Sequence, residues 1–406
     1  MKILVITQYF PPESGAPSNR LKSFADAMAS RNHDVTVICE FPNYPSGIMA
    51  KEDKWRLFRI ERDLPYRVIR TFVIGTKCKN ALTKLLFYIS FALSSFCASL
   101  FVRKPDVIFT SSPPIFHALG STLIAKIKKS RFVLDIRDLW PDTVREFNAM
   151  SNKTFMKWGA IFEKWLYLNS DLIVTVSQGI KAKIEARGGN GKCHLAYNGS
   201  FQSILEWNGS GRIGQEWRGF ANETIIMYAG RIGLGQKLSD LIPSMLEMKE
   251  SGCRFVIIGD GPDKNRIENI LRKHATSSII LGNSVSSGDV IPYLYAADIL
   301  MVILKKGEFF KSALPSKFFD YMAAGKPILS NVDGELREIM ETYNTGIYFA
   351  PDDPEAFKVA ILTLINNPEL MKTMGINGKK LVREKFLRSK IAEKAISVIE
   401  QIARSS

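Results

Sequence analysis

Two stretches in the second half of the chain combine glycines, cations and helix-start amides in a way that suits a phosphorylated ligand. The first is Tyr228-Ala229-Gly230-Arg231-Ile232-Gly233-Leu234-Gly235-Gln236-Lys237, which follows an apolar run. Its three glycines allow tight turns and close approach of a ligand to the backbone. Arg231 can grip a phosphate as a planar fork, whereas Lys237 supplies a movable point charge. The second stretch runs from Ser312 to Gly325; Pro315 suits the first position of a helix and Gly325 its end. Amides at Ser316 and Lys317, at the positive end of the helix dipole, would attract an anion. Asp320, a turn further in, is positioned to accept hydrogen bonds from ribose hydroxyls. A plain amphipathic helix with Phe318, Phe319 and Met322 in the core uses a different face, so both readings hold together.

The first half offers weaker signals. In Phe10-Pro11-Pro12-Glu13-Ser14-Gly15-Ala16-Pro17-Ser18, the small residues Gly15 and Ala16 leave the backbone open before a helix that Ser18 could cap. The same residues serve equally as a structural turn, and no G-x-G-x-x-G fingerprint is present. Arg137-Asp138 follows an apolar run, with Asp138 the first-half carboxylate nearest a bound sugar; a salt-bridged pair is the competing reading. Gly259-Asp260-Gly261-Pro262 reads as a turn. His33, His117, His194 and His274 lack metal-ligand spacing, and no acid pair is arranged as in a hydrolase. No metal is expected.

The elements that must position these residues follow from periodicity. Short apolar runs alternate with amphipathic stretches through both halves, the pattern of parallel sheets with crossover helices. Expected strands are Ile3–Thr7, Val35–Cys39, Val68–Val73, Val107–Thr110, Phe132–Ile136 and Leu172–Val176. The second half repeats them at Thr224–Tyr228, Phe255–Ile258, Ile279–Leu281, Ile299–Leu304, Pro327–Ser330 and Ile347–Phe349. A helix from about Ser18 carries Leu21, Phe24, Ala25 and Met28 on one stripe. The fold class is α/β, two Rossmann-like parallel-sheet domains facing an interdomain cleft. Residues 1–200 form the first domain and 223–384 the second. Residues 201–222, within a Gly-, Ser-, Asn- and Trp-rich stretch, form a hinge, and 385–406 a final helix. Ligands in such sheets bind beyond the carboxyl ends of the strands, where the loops above lie.

Composition bounds the rest. The chain has 406 residues and a net charge of +15, with 29 Lys+Arg against 16 Asp+Glu up to Leu205 and 26 against 24 beyond it. A basic first half fits an anionic ligand or surface, although a merely soluble basic surface looks the same. Scattered cations without a zinc spacing, an Arg-rich tract or an aromatic RNA-binding signature argue against nucleic acid. The odd, dispersed cysteines read as reduced thiols in a cytosolic protein, and the quickly polar start reads as a buried strand rather than a signal peptide. Leu85–Val102 is free of charge and bounded by Lys84 and by Arg103-Lys104. It reads as a helix partly buried in the domain that also touches a membrane interface; a core helix and a true span are the alternatives.

Several of these motifs resemble the retaining family-4 glycosyltransferases of the GT-B fold. Pro11-Pro12-Glu13 with Gly15 and Arg20, Asn32-His33-Asp34-Val35-Thr36-Val37 and Asn198-Gly199 resemble their first domain. Tyr228 to Arg231, Ile258-Gly259-Asp260-Gly261, Leu314-Pro315-Ser316-Lys317 and Ala323-Ala324-Gly325-Lys326-Pro327 resemble their second. Phe41 to Gly47 and Arg137-Asp138-Leu139-Trp140-Pro141 are similar to the fucosaminyltransferase-like branch of O-antigen and capsule assembly. The resemblance implies Arg231 and Lys237 as the cations that neutralise the departing diphosphate without a metal. It implies a final helix packed on the first domain. It also exposes departures: Asp320 stands at the family's second acidic position and Ser312 at its first, where no charge can be carried. The Arg137-Asp138 region replaces the first-domain histidine of many relatives.

The expected activity is transfer, with retention, of a sugar (an N-acetylated amino sugar) from a UDP-sugar to a lipid-linked saccharide in surface polysaccharide biosynthesis. Arg231, Lys237 and Asp138 are the candidate catalytic residues. Gly15, Ala16, Gly230, Ser312, Leu314, Ser316, Lys317 and Asp320 are the candidate donor-binding residues, and Lys84, Arg103 and Lys104 face the acceptor or membrane. The acceptor is expected to be a polyprenyl-diphosphate-linked saccharide, reached from the cytoplasm at the inner face of the cell membrane, and no cofactor beyond the donor is expected. A UDP-sugar 2-epimerase of the same fold and a non-catalytic membrane-associated assembly protein are the rival readings.

Overall fold

The computed structural model describes residues 1–13, 15–43, 47–75, 81–146, 153–209, 223–274, 276–286 and 288–404. The chain divides into two compact units, Met1–Asn198 with Arg388–Ser406, and Gly199–Leu387.

The first unit is built on eight strands among the described residues: β1 (Lys2–Ile6), β2 (Asp34–Glu40), β3 (Phe58–Glu61), β4 (Arg67–Thr71), β5 (Val107–Ser112), β6 (Arg131–Ile136), β7 (Leu172–Thr175) and β8 (Cys193–Leu195). They lie in the order β3-β4-β2-β1-β5-β6-β7-β8. All neighbours are parallel except β3, which pairs antiparallel with β4 at the edge. β5 is buried along its whole length and β1 from Ile3 on, as expected for strands covered by helices on both faces. Their side chains Leu4, Ile6 and Ile108 share one core with Ile115, Phe132, Leu134 and Tyr167.

The strand order reverses direction between β1 and β5, the switch point beyond whose carboxyl ends sheets of this kind bind ligands. β3 and β8 were absent from the sequence-based expectation. β3 points Phe58 and Ile60 toward solvent while Arg59 and Glu61 make ion pairs, the reverse of the usual pattern. β8 has only three half-buried residues.

The helix expected from Ser18 spans Ala16–Ser30 and is capped at Gly15, so Ser18 lies inside its first turn, buried and not a cap. Against it packs the last helix, Arg388–Arg404, through Ile391, Ala395, Ile396 and Ile399. Glu400 fixes that contact by accepting hydrogen bonds from Arg31 at 3.2 Å and from His33 at 2.8 Å.

The second unit holds β9 (Thr224–Ala229), β10 (Cys253–Ile258), β11 (Ile279–Gly282), β12 (Ile299–Val302), β13 (Ile328–Ser330) and β14 (Gly346–Tyr348), all parallel, in the order β11-β10-β9-β12-β13-β14. Its switch point lies between β9 and β12. The stretch expected to be an irregular hinge begins with a helical turn, Gln202–Leu205, that buries Ile204 and Leu205. Its remainder, 210–222, lies outside the described residues, as do Ser14 and residues 44–46 of the Phe41–Gly47 motif.

Candidate active site

In the second unit the loops leaving β9 and β10 interlock. Gly230 donates its amide to the Ile258 carbonyl at 2.9 Å, and Ile232 to that of Asp260 at 2.8 Å. A Cβ on Gly259 would stand 1.8 Å from the Gly230 oxygen, and one on Gly261 would stand 2.3 Å from that of Ile232. The Gly259–Pro262 turn is therefore required by close backbone approach. It fixes the path of the loop that carries Arg231.

Across the switch point, the helix Ser316–Ala323 docks on the end of β9. Tyr321 Oη donates to the Ala229 carbonyl and accepts from the Ala229 amide, both at 3.0 Å. One turn earlier, Lys317 Nζ lies 3.7 Å from the centre of the Tyr228 ring, and a Cβ on Gly230 would meet it at 2.9 Å. That ammonium is buried and has no hydrogen-bond acceptor among the described residues. Burial lowers its pKa from 10.5 to about 7. A buried cation facing only a ring is costly unless an anion completes it. The helix cap at Pro315 contributes no side-chain hydrogen bond to the first amides of the helix, which include Ser316 and Lys317.

Arg231 is exposed at the loop tip, with its side chain folded over Gly233. The Arg231 carbonyl accepts from Tyr228 Oη at 2.5 Å, tying the loop to the ring beneath Lys317. Lys237 takes a left-handed backbone conformation (φ 46°) and pairs with Asp240 at 3.2 Å, which also binds Arg266 at 3.2 Å. Its charge is thus shared with a carboxylate, a partner that the sequence reading did not anticipate. Asp320 accepts from the buried Ser200 hydroxyl at 2.7 Å. Ser312 is buried and donates to the Phe309 carbonyl at 2.8 Å, closing the turn before the helix, while Leu314 is buried beside it.

In the first unit the residues at the switch point form a buried relay. Arg20 holds Asp135 with Nε at 3.0 Å and Nη2 at 2.7 Å, and its Nη1 donates to the Ala196 carbonyl at 2.8 Å. Ser111 donates to the other Asp135 oxygen at 2.9 Å and accepts from Arg137 Nε at 2.9 Å. Arg137 also donates to the Pro113 carbonyl. The next residue, Asp138, is open to water although protein surrounds it closely. That crowding pushes its carboxyl pKa up, while Arg137 pulls it down. Arg137 and Asp138 are not paired by hydrogen bonds; Arg137 is tied back to the sheet instead.

Sequence reasoning missed three groups here. Arg20 and Asp135 sit 115 positions apart, so no local spacing marks their pairing. Buried His117 reaches the Ser111 carbonyl through Nε2 at 2.7 Å, and burial lowers its pKa to about 4, so it is neutral at pH 7. Glu40 is fully buried, accepts from Gln8 and Asn43, and is held well above the usual carboxylate pKa by burial and by Glu13. Gly15 and Ala16 do stand at a helix start, as the cap and first residue of Ala16–Ser30.

The charge-free stretch lies in a helix spanning Ala81–Phe101, one turn longer than expected, so Lys84 falls within it. Ser90, Ser95 and Ser99 face inward and bond backbone carbonyls, as Ser94 does, whereas Leu82, Leu86, Leu93 and Phe101 are exposed. Arg103 and Lys104 are exposed just beyond its end. Among the described residues no cluster of three or more His, Cys, Asp or Glu is placed to hold a metal ion.

Two doubly wound units of this kind define the GT-B architecture. Sucrose-phosphate synthase from Thermosynechococcus elongatus superposes with a TM-score of 0.77 at 16% identity, covering 100% of both chains. Anabaena Alr3699/HepE, solved with UDP and glucose, superposes with a TM-score of 0.71 at 16% identity, covering 99% of this chain and 100% of that one. At these identities the likeness is one of fold. Residues 18–200 match the family described as Glycosyltransferase Family 4, and residues 213–381 match Glycosyl transferases group 1. In Escherichia coli (strain K12), WcaI, a candidate colanic acid biosynthesis glycosyl transferase, is 27% identical over 376 residues, 89% of this chain and 91% of that one. The chain belongs to the GT-B glycosyltransferases of family 4 and group 1, and it is a transferase.

Proposed function

We infer that the enzyme moves a sugar, an N-acetylated amino sugar, from a UDP-sugar to a polyprenyl-diphosphate-linked saccharide, with retention, during surface polysaccharide assembly. The observation that carries this reading is the Lys317 ammonium, buried without an acceptor among the described residues, against Gly230 and Tyr228 at the start of a helix. A diphosphate supplies the missing negative charge, and the amides at Ser316 and Lys317 add donors at the same end of the helix. Arg231, on the loop tied to the same ring, would meet the charge that grows on the leaving phosphate. Lys237 would join it on leaving Asp240. Asp320, steadied by Ser200, would hold the ribose hydroxyls, and Asp138 would lie toward the sugar and acceptor. The leaving phosphate itself would take the acceptor's proton in a front-side reaction, so no metal is required.

Uridine is favoured by the HepE complex with UDP, and surface polysaccharide by the name of WcaI. The motifs Arg137 to Pro141 and Phe41 to Gly47 support the fucosaminyltransferase-like branch. The exposed apolar side chains of the Ala81–Phe101 helix, with Lys84, Arg103 and Lys104 near its ends, support work at the inner face of the cell membrane.

A thermal-shift panel of sugar nucleotides tests the donor, since a ligand that binds the folded state raises its apparent stability. Stabilisation by UDP-sugars above ADP- and GDP-sugars is expected, followed by transfer to a lipid-linked acceptor with the anomeric configuration kept. Conversion of the sugar without any acceptor would replace this reading with the epimerase.

A further inference from the structure

The amino ends of the first unit's strands, opposite to the ends that carry Arg137 and Asp138, border an open polar recess of about 480 Å³. Lys2 opens β1, Arg67 opens β4, Arg62 lies in the turn between β3 and β4, and Arg103 follows the Ala81–Phe101 helix; all four line it. Against them the lining holds one carboxylate, Asp34. None of the four cations makes an ion pair among the described residues. Arg67 donates to the Thr36 hydroxyl at 2.9 Å, and the Lys2 amide to Asp106 at 2.7 Å. His33, at the rim, is held by Glu400, whose carboxylate Arg31 also engages.

Four cationic residues lining one recess, against a single carboxylate, repel one another unless a further anion sits among them. Three are guanidinium groups, whose planar forks match phosphate oxygens. Val102 forms part of the same wall, directly after Leu100 and Phe101, which are 44% and 90% exposed. A phosphate that carries an apolar tail would satisfy the recess and this apolar rim together.

We propose that the recess lined by Lys2, Arg62, Arg67 and Arg103 is a phosphate-binding site separate from the donor site. It takes the phosphate of an anionic phospholipid headgroup or a free organic phosphate. The site does not depend on the identity of the sugar donor, and its test is independent of that reading.

The test compares wild type, Arg62→Ser/Arg67→Ser, the reversal Arg62→Glu, Arg231→Ala, and a charge-matched control, Lys249→Ser/Lys372→Ser, after circular dichroism has shown each folded. Titration with inorganic phosphate against chloride at equal ionic strength is expected to show a site kept in Arg231→Ala and in the control. That site is lost from Arg62→Ser/Arg67→Ser and from Arg62→Glu. Co-sedimentation with phosphatidylglycerol and phosphatidylcholine vesicles separates the sources. A tenfold or greater fall in phosphatidylglycerol binding, specific to the recess variants, identifies the lipid headgroup. Loss of phosphate binding with unchanged vesicle binding identifies a soluble phosphate. No phosphate site in the wild type, or an equal loss in the charge-matched control, overturns the proposal.

Discussion

The ammonium of Lys317 lies 3.7 Å from the centre of the Tyr228 ring and, although its Nζ is buried, has no hydrogen-bond acceptor among the described residues. Tyr228 is itself fully buried and bonded to the Arg231 carbonyl, so ring, cation and loop form one unit. A cation kept this way weakens the ligand-free fold and strengthens binding of an anion, because the anion relieves a cost already present. Lys317→Met removes the charge and keeps the apolar stem. Calorimetry should find the ligand-free variant more stable by about 1–3 kcal/mol, the scale of an unsatisfied buried polar group. Affinity for the nucleotide sugar should fall at least tenfold. A variant less stable than wild type would mean that Lys317 is already satisfied.

The same lysine sets a pH dependence with a definite sign. Burial lowers its folded-state pKa to about 7 from 10.5. Between those values the unfolded chain binds more protons, so ligand-free stability gains from this group as pH rises through that window. Binding runs the other way. A diphosphate raises the lysine pKa, so affinity is on its plateau below pH 7 and falls by up to tenfold per pH unit above it. Isothermal titration of a UDP-sugar from pH 6 to 9 measures this, and Lys317→Arg should flatten the profile because guanidinium keeps its proton.

Arg231 and Lys237 should separate in their effects. Arg231 is exposed and makes no ion pair among the described residues, whereas Lys237 is paired with Asp240. Arg231→Ala should lower kcat by about 10²-fold, as loss of a donor to a developing anion does. Lys237→Ala should cost tens-fold, and Asp240→Asn should raise donor affinity by releasing Lys237. Steady-state kinetics of the three variants decides this; near-normal kcat in both alanine variants removes these cations from the reaction.

Much of this was legible in the sequence because a parallel sheet writes itself as continuous apolar runs. Twelve expected strands appear within three residues of their expected ends, including all six of the second unit. The loop geometry was legible too: Gly230 to Lys237 and Ser312 to Gly325 are local motifs whose glycines and proline mark backbone turns and a helix start. Contacts made only by folding were not legible. The Arg20–Asp135–Ser111–Arg137 relay joins the Ala16–Ser30 helix, β5 and β6 with the loop that follows it, and the pairing of Lys237 with Asp240 depends on the left-handed turn at Lys237. β3 was hidden because its apolar residues point outward, so periodicity pointed away from a buried strand.

That relay makes a stability prediction. Arg20 and Asp135 are both buried, and each is the other's charge partner. Asp135→Asn or Arg20→Met leaves one buried charge unpaired, which costs about 3–5 kcal/mol. The double variant Arg20→Met/Asp135→Asn should recover part of that loss, since it removes both charges of the pair. Urea unfolding of the three variants measures it. A double variant as unstable as the sum of the singles would show that the pair acts through geometry at Ser111 and Arg137 rather than through charge.

The Ala81–Phe101 helix buries Phe87, Phe91 and its inward serines against the first unit, while Leu82, Leu86, Leu93, Leu100 and Phe101 face out. Leu82 and Leu93 are 65% and 63% exposed, a standing cost in water that an acyl layer would relieve. Leu82→Ser/Leu93→Ser should leave the fold intact, because neither side chain is part of the core, and should lower flotation with anionic liposomes at least tenfold. Val359 and Ile376 are about as exposed, at 61% and 59%, but lie in the second unit. Val359→Ser/Ile376→Ser therefore removes similar apolar surface and should leave flotation unchanged. Equal losses in both pairs would mean that exposed apolar area anywhere promotes binding, and the helix would have no special claim on the membrane.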